Sequence, residues 1–334
     1  MDRNIAGDGK LTSQHDESWL LLTNDDGIEA IGLELLVKTL NSRGHKVIVF
    51  APQENHSAAG MKINLMKEIK WRFRTDLVER WQLENPNIIH LLELEGSPCD
   101  TMIVSLDGGL KHILPECSPC LVVSGVNLGP NMSQDSYHSG TMGAAREAGL
   151  YGMPAIASSL TSFEDDGMQV AVDATVKLIE KVLENLPSQA KNVRRTELSL
   201  DLDYLSGWPN SESKGISDLS RACSRAFFAG DLMLNINTPP NWNGKFTSTR
   251  LGMRWYRDAI KISQSSDEDN TATFTIGAAS IDHTPVEKSD CDAVDAGYSS
   301  ITCMPTWPQS HPLNVDESLI AYGLQENNGF PIWL

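Results

Sequence analysis

A β-α-β unit opens the readable part of the chain, and it limits the fold more than any other feature. Trp19–Thr23 is an apolar run of strand length, Ile28–Ser42 repeats leucine and valine at helical spacing, and Lys46–Pro52 is a second apolar run. Gly44 closes the helix between them. Parallel strands need a crossover of this size, and repeated units build a parallel sheet with helices on its faces. The alternation continues. Ser97-Pro98 open a helix predicted to reach about His112, with Ser as cap and Pro in the first turn. Leu121–Ser124 and Ala155–Ser159 read as strands, Thr141–Leu150 and Met168–Leu186 as helices. The predicted fold class is α/β, doubly wound, with a mostly parallel sheet. Met61–Leu94 alternates charged, aromatic and apolar residues and is predicted to form antiparallel strands outside the parallel core. Thr271–Ile276 alternates Thr with apolar residues, as a half-exposed strand does.

The first strand runs straight into Thr23-Asn24-Asp25-Asp26-Gly27. Ligands of open α/β sheets bind outside the carboxyl ends of the strands. Two adjacent carboxylates there repel each other and resist desolvation unless a proton or cation neutralises them. A hard divalent metal suits carboxylate oxygens; the alternative is that the two aspartates only turn the chain and cap the next helix. Leu121–Ser124 likewise opens into a loop, Gly125-Val126-Asn127-Leu128-Gly129-Pro130-Asn131, that continues to Ser139-Gly140-Thr141-Met142-Gly143 at a helix start. Helix-start amides with glycines beside them form a natural phosphate seat. The alternative is a long surface loop with an ordinary Ser/Thr cap.

Six blocks, Thr23–Gly27, Ala51–Ser57, Gly96–Asp100, Ser124–Asn127, Ser139–Ala144 and Gly152–Ala157, resemble the SurE family of acid-phosphatase-like nucleotidases in order and spacing. Weaker echoes follow at Leu232–Pro239, Thr249–Arg254 and Asp290–Thr302. The resemblance implies a Rossmann-like three-layer core with a C-terminal hairpin and tail. It also implies a divalent-metal-dependent phosphomonoesterase that hydrolyses nucleoside monophosphates, 5′ and in some cases 3′, or that trims polyphosphate. Its metal ligands fall on Asp25, Asp26, Ser57 and Asn127, for one Mg²⁺ or Mn²⁺ per subunit. Its phosphate-binding positions fall on Asn131, Ser139, Gly140 and Thr141. Two departures stand out: Gln53 replaces a frequent acidic residue, and Ala58 replaces a frequent Gly, which shifts the Ser57 loop if the backbone there needs positive φ. A non-catalytic metal- or nucleotide-binding protein on the same fold is the alternative function.

Asp25 is a candidate catalytic residue as nucleophile, base or ligand. His311 is the candidate general acid, because the resemblance puts a tail histidine near the phosphate, sometimes from a neighbouring subunit; an exposed tail histidine is the alternative. His138, next to Ser139, is a second candidate, and His56 is expected to face outward. Asn24-Asp25-Asp26 lacks the Asp-x-Asp of haloacid-dehalogenase phosphatases, and no Walker or G-x-G-x-x-G loop occurs.

The balance of charge, −17, argues against nucleic-acid polymers and anionic membranes but not against a small phosphomonoester beside a cation. No apolar run has membrane-spanning length, and the expected location is cytoplasmic. Cys117-Ser118-Pro119-Cys120 has redox-motif spacing but stands between a helix end and a strand; four-ligand zinc would need a second such pair, so reduced structural cysteines are expected. The domain reading is a polar extension over 1–18, a catalytic core over 19–186 and an inserted surface lobe over 187–231. The last part, 232–334, completes the core and adds an oligomerisation hairpin and tail. A homodimer or homotetramer follows from the resemblance, and Trp307, Phe330 and Trp333 are read as subunit contacts or as packing on their own domain.

Overall fold

The computed structural model describes residues 18–186, 202–208, 215–266, 271–277 and 280–334. The 1–17 extension, and the Arg194-Arg195 and Pro209-Asn210 parts of the 187–231 segment, lie outside them. Among the described residues the chain runs β1 (Trp19–Thr23), α1 (Ile31–Ser42), β2 (Lys46–Pro52), β3 (Trp71–Phe73), α2 (Thr75–Arg80), β4 (Ile89–Leu94), α3 (Pro98–Val104) and α4 (Leu110–Ile113). Then come β5 (Pro119–Leu128), α5 (Asp135–His138), α6 (Gly140–Leu150), β6 (Ala155–Leu160), α7 (Met168–Leu183), α8 (Leu219–Phe228) and β7 (Leu232–Thr238). The last part holds β8 (Phe246–Thr249), β9 (Met253–Arg257), β10 (Ile260–Ser266), β11 (Thr271–Ile276), β12 (Ser280–Thr284), α9 (Asp290–Asp295), β13 (Ser299–Pro305), α10 (Glu317–Gly323), β14 (Glu326–Asn327) and β15 (Phe330–Pro331).

One nine-stranded sheet, in the order β3-β4-β2-β1-β5-β6-β7-β13-β8, carries the molecule. The six strands from β4 to β7 in that order are parallel, and β3 and β13 run antiparallel at its flanks. Strand periodicity splits the side chains between two cores. Leu20 and Leu22 join Leu36, Val37, Leu40, Val176, Ile179 and Phe227 on one face; Trp19 and Leu21 join Met102, Met142 and Ala145 on the other. Helices therefore cover both faces, as the doubly wound reading requires.

Several boundaries differ from expectation. Only Trp71–Phe73 of the Met61–Leu94 stretch is antiparallel; Ile89–Leu94 is a parallel core strand, buried at five of six positions, with His90 the intermediate one. Ser97 caps α3 through the Asp100 N–H in a capping box, but the helix breaks into a π turn at Ser105–Gly109, where Gly108 has φ +104°. The surface-lobe reading of 187–231 does not hold for its described end: Tyr204 and Leu205 are buried, and α8 buries Ala222, Cys223, Ala226 and Phe227 in the first core. Its apolar face seats under α10 and β7. The tail aromatics pack on their own chain, with Trp333 buried 5.4 Å from Phe227 and Phe330 4.6 Å from Phe246 between ring centres. β11 is exposed at every position and pairs with β10 in a free two-stranded hairpin.

Candidate active site

From β1 the chain crosses to β2 on one side, while β5 lies on the other. This reversal opens a crevice beyond the carboxyl ends of β1 and β5. Asp25 and Asp26 leave β1 into it, Asn127 stands near the end of β5, and the 53–60 loop leaves β2 beside it.

Asp25 is almost fully buried, at 3% exposure. Thr141 Oγ1 donates to its Oδ1, and the backbone N–H groups of Gly140 and Thr141 add to the same carboxylate. Gly140 makes this approach possible: a β-carbon there would lie 2.7 Å from Asp25 Cβ and 2.8 Å from Oδ2. Burial pushes the Asp25 carboxyl up, and the start of α6 pulls it back toward the ionised form. Asp26 receives the Leu128 N–H at 3.2 Å and Asn55 Nδ2 at 3.4 Å, with a further hydrogen bond to the Ser57 side chain. Its carboxyl is pushed up to about 6, by burial first and then by the charge of Asp25.

The surrounding loops are tied to this pair. His56 N–H donates to the Asp25 carbonyl at 2.6 Å, Ser57 N–H donates to Asn55 Oδ1 at 2.7 Å, and Gly60 N–H donates to the His138 carbonyl at 2.8 Å. Ala58 stands at φ +59°, so the backbone here does demand the left-handed region that the family's glycine would supply. Asn127 Nδ2 donates to the Gly129 carbonyl at 2.8 Å, which leaves its Oδ1 free to face a cation.

The donor set fits a hard divalent ion. Among the described residues no Lys, Arg or His pairs with Asp25 or Asp26, although both carboxyls are pushed toward the neutral form and lie side by side. Asp25, Asp26, Ser57 and Asn127 offer carboxylate, hydroxyl and amide oxygens, the donor types that a hard divalent ion takes.

The phosphate positions divide. Ser139 caps α6 by accepting the Met142 N–H at 3.0 Å and keeps its own hydroxyl hydrogen to donate. The buried Thr141 hydroxyl donates its hydrogen to Asp25. Asn131 anchors the loop: its N–H donates to Asn237 Oδ1 and its Nδ2 to Ser159 Oγ, while its carbonyl accepts from Asn235 and Asn237. The two β7 asparagines two residues apart in LMLNIN are the sequence signal for that anchor. His138 is exposed beside Ser139, whereas His56 is half-buried rather than outward-facing, and burial and Lys62 push its imidazole down.

His311 is not at this site within the chain. Pro305, the last residue of β13, pairs with Leu232, the first of β7; Trp307 Nε1 donates to Asp231 Oδ1 at 2.9 Å, and the His311 ring stacks on Trp307 at 4.1 Å. That places His311 at the amino end of the parallel strands, roughly 20 Å, the length of a seven-residue strand, from their carboxyl ends. A tail that returns antiparallel beside β7 cannot end where the parallel strands end.

Fold and site together define a doubly wound α/β protein with an oxygen-donor cluster at its topological switch point. A family model described as Survival protein SurE matches residues 20–258. The chain belongs to the SurE family. It is 30% identical to "5′-nucleotidase SurE" of Desulforamulus reducens, over 91% of this chain and 95% of that one. It is 29% identical to "5′-nucleotidase SurE" of Caldanaerobacter subterraneus subsp. tengcongensis, over 86% and 96%. Among solved structures, the SurE protein of Aquifex aeolicus superposes with a TM-score of 0.59 at 26% identity, covering 86% of this chain and 94% of that one.

Proposed function

We propose that the chain is a metal-dependent 5′-nucleotidase that hydrolyses nucleoside monophosphates to nucleoside and inorganic phosphate. The observation that carries this is the Asp25-Asp26 pair, Asp25 buried and Asp26 half-buried beside it, with no cationic side chain paired to either among the described residues, at the switch point of a SurE-family sheet. Asp25, Asp26, Ser57 and Asn127 would hold one Mg²⁺ or Mn²⁺ per subunit. When bound, the ion supplies positive charge to the phosphoryl oxygens and lowers the pKa of a water. Asp25 acts as a fixed ligand, because Thr141 takes one of its oxygens and the start of α6 crowds the other. Ser139 donates to a non-bridging phosphate oxygen, and the phosphate–ribose bond breaks as water adds opposite the leaving oxygen. His138, exposed at the rim, is the in-chain candidate to return a proton to that oxygen.

The finer readings rest on separate observations. A homodimer or homotetramer is supported by the β10–β11 hairpin, where Ile260 pairs with Ile276 and Ile262 with Phe274, all four exposed. A cytoplasmic location is supported by six free cysteines. Among the described residues no helix is long and apolar enough to cross a membrane.

The test is phosphate release from a panel of 5′- and 3′-nucleoside monophosphates and polyphosphate, with Mg²⁺, Mn²⁺ and EDTA arms. Release from 5′-monophosphates that EDTA abolishes supports the reading. No release with either metal, together with retained metal and nucleotide binding, replaces it with the non-catalytic alternative.

A further inference from the structure

The Cys-x-x-Cys segment that the catalytic reading leaves unused ends up beside a histidine that is remote in sequence. His90, Glu116 and Cys117 bring an imidazole nitrogen, a carboxylate oxygen and a thiol sulfur within 4.8 Å of one another. His90 is the second residue of β4, and Cys117 lies in the turn between α4 and β5, so the cluster sits at the amino end of the sheet. The oxygen-donor site occupies the other end. Cys117 is buried, His90 half-buried and Glu116 exposed, which gives one closed side and one side open to water.

The set is oriented as well as gathered. The His90 ring stacks on Trp19 at 5.1 Å, Cys117 N–H donates to the Leu114 carbonyl at 3.0 Å, and Cys117 Sγ lies 3.8 Å from Glu116 Oε1. Lys46, whose ammonium lies over Trp19, favours the thiolate. We propose that His90, Glu116 and Cys117 form a second metal site, for Zn²⁺ or a similar thiophilic divalent ion, with water as the fourth ligand. Tetrahedral zinc with Zn–N near 2.0 Å and Zn–S near 2.3 Å separates its ligands by about 3.3–3.8 Å, so closure needs side-chain movements of about an ångström. The nitrogen and sulfur donors separate this site from the all-oxygen cluster at the other end, which prefers harder ions. Burial and the neighbouring Glu116 push the metal-free thiol up to about 11, so binding displaces a proton and tightens as pH rises. Cys120 is not part of the set: it packs against the opposite core. The ion would clip β4 to the turn that leads into β5, across the ends of β2 and β1, and so acts on stability rather than on hydrolysis.

The test uses the full-length protein stripped of metal and titrated with Co²⁺, then with Zn²⁺. A thiolate-to-cobalt charge-transfer band in the near ultraviolet is expected in wild type, in C120S and in the D25N/D26N double variant, and it is lost in C117S. H90Q weakens cobalt binding at least tenfold, a lower bound for removing a direct ligand. Zn²⁺ raises the thermal midpoint of wild type and leaves that of C117S unmoved, while C117S keeps wild-type phosphate release, which shows that it folds. Absence of the band in wild type, or its persistence in C117S, overturns the proposal.

Discussion

Gly140 shows how one missing side chain sets the chemistry. The Asp25 carboxylate fills the space a β-carbon would take, so G140A must move either the aspartate or α6. Overpacking of this kind costs about 1–3 kcal/mol. The expected result is a lowered thermal midpoint, together with a loss of metal-dependent phosphate release greater than the stability change explains. Ala58 is the opposite case. At φ +59° it pays a penalty of about 1 kcal/mol that glycine does not. A58G is expected to tighten divalent-metal binding by up to about fivefold, since RT ln 5 is close to that penalty; calorimetry of Mg²⁺ or Mn²⁺ binding measures it. The adjacent carboxylates at the end of β1 were legible in sequence, because a short buried strand ending in polar residues leaves a plain pattern; Gly140 was read as a phosphate position, and its close approach to Asp25 was not legible. The engagement of Thr141 by Asp25 was not, since a hydroxyl at a helix start reads equally well as a cap, a phosphate donor or a partner for a distant carboxylate.

At the scale of elements, α6 joins the site to a buried acid. Glu147, one side of the same helix, is pushed up to about 7 by burial and by Asp100. Unfolded, it titrates near 4.5, so between these values the unfolded chain ionises while the folded one stays protonated. Stability therefore falls as pH rises through that window, and the loss is complete above about 7. E147Q removes the penalty: it should stabilise the protein by about 1–3 kcal/mol at alkaline pH and have little effect near the unfolded value. Denaturant midpoints at the two pH values check this. The elements hardest to read were those whose partners are remote. β4 looked like part of an antiparallel excursion because Met61–Leu94 alternates charged, aromatic and apolar residues, yet β2 claims it as a parallel neighbour. α8 lay in a polar stretch, and only the fold shows that its Ala222, Cys223, Ala226 and Phe227 stripe is covered. His311 carried a functional reading from the family resemblance, and the antiparallel return of β13 takes it to the other end of the sheet from this chain's own site.

For the whole molecule, the tail closes the first core. Trp333 packs on Phe227 and is 5% exposed, so W333A should cost about 3–5 kcal/mol, read from the denaturant midpoint. The apolar hairpin remains outside that core, and charging it in an I262K/F274K double variant is expected to shift the species seen by light scattering toward the monomer. With a net charge of −17, the molecule offers a phosphate anion little attraction except where a cation bound at the switch-point aspartates would reverse the field. The direct test is the D25N/D26N variant beside wild type, with Mg²⁺ or Mn²⁺ binding by calorimetry and phosphate release from 5′-nucleoside monophosphates measured on the same preparations. The folded variant is expected to lose the oxygen-donor metal site and at least roughly 100-fold in release. Metal binding and phosphate release that both survive the double substitution would contradict that expectation.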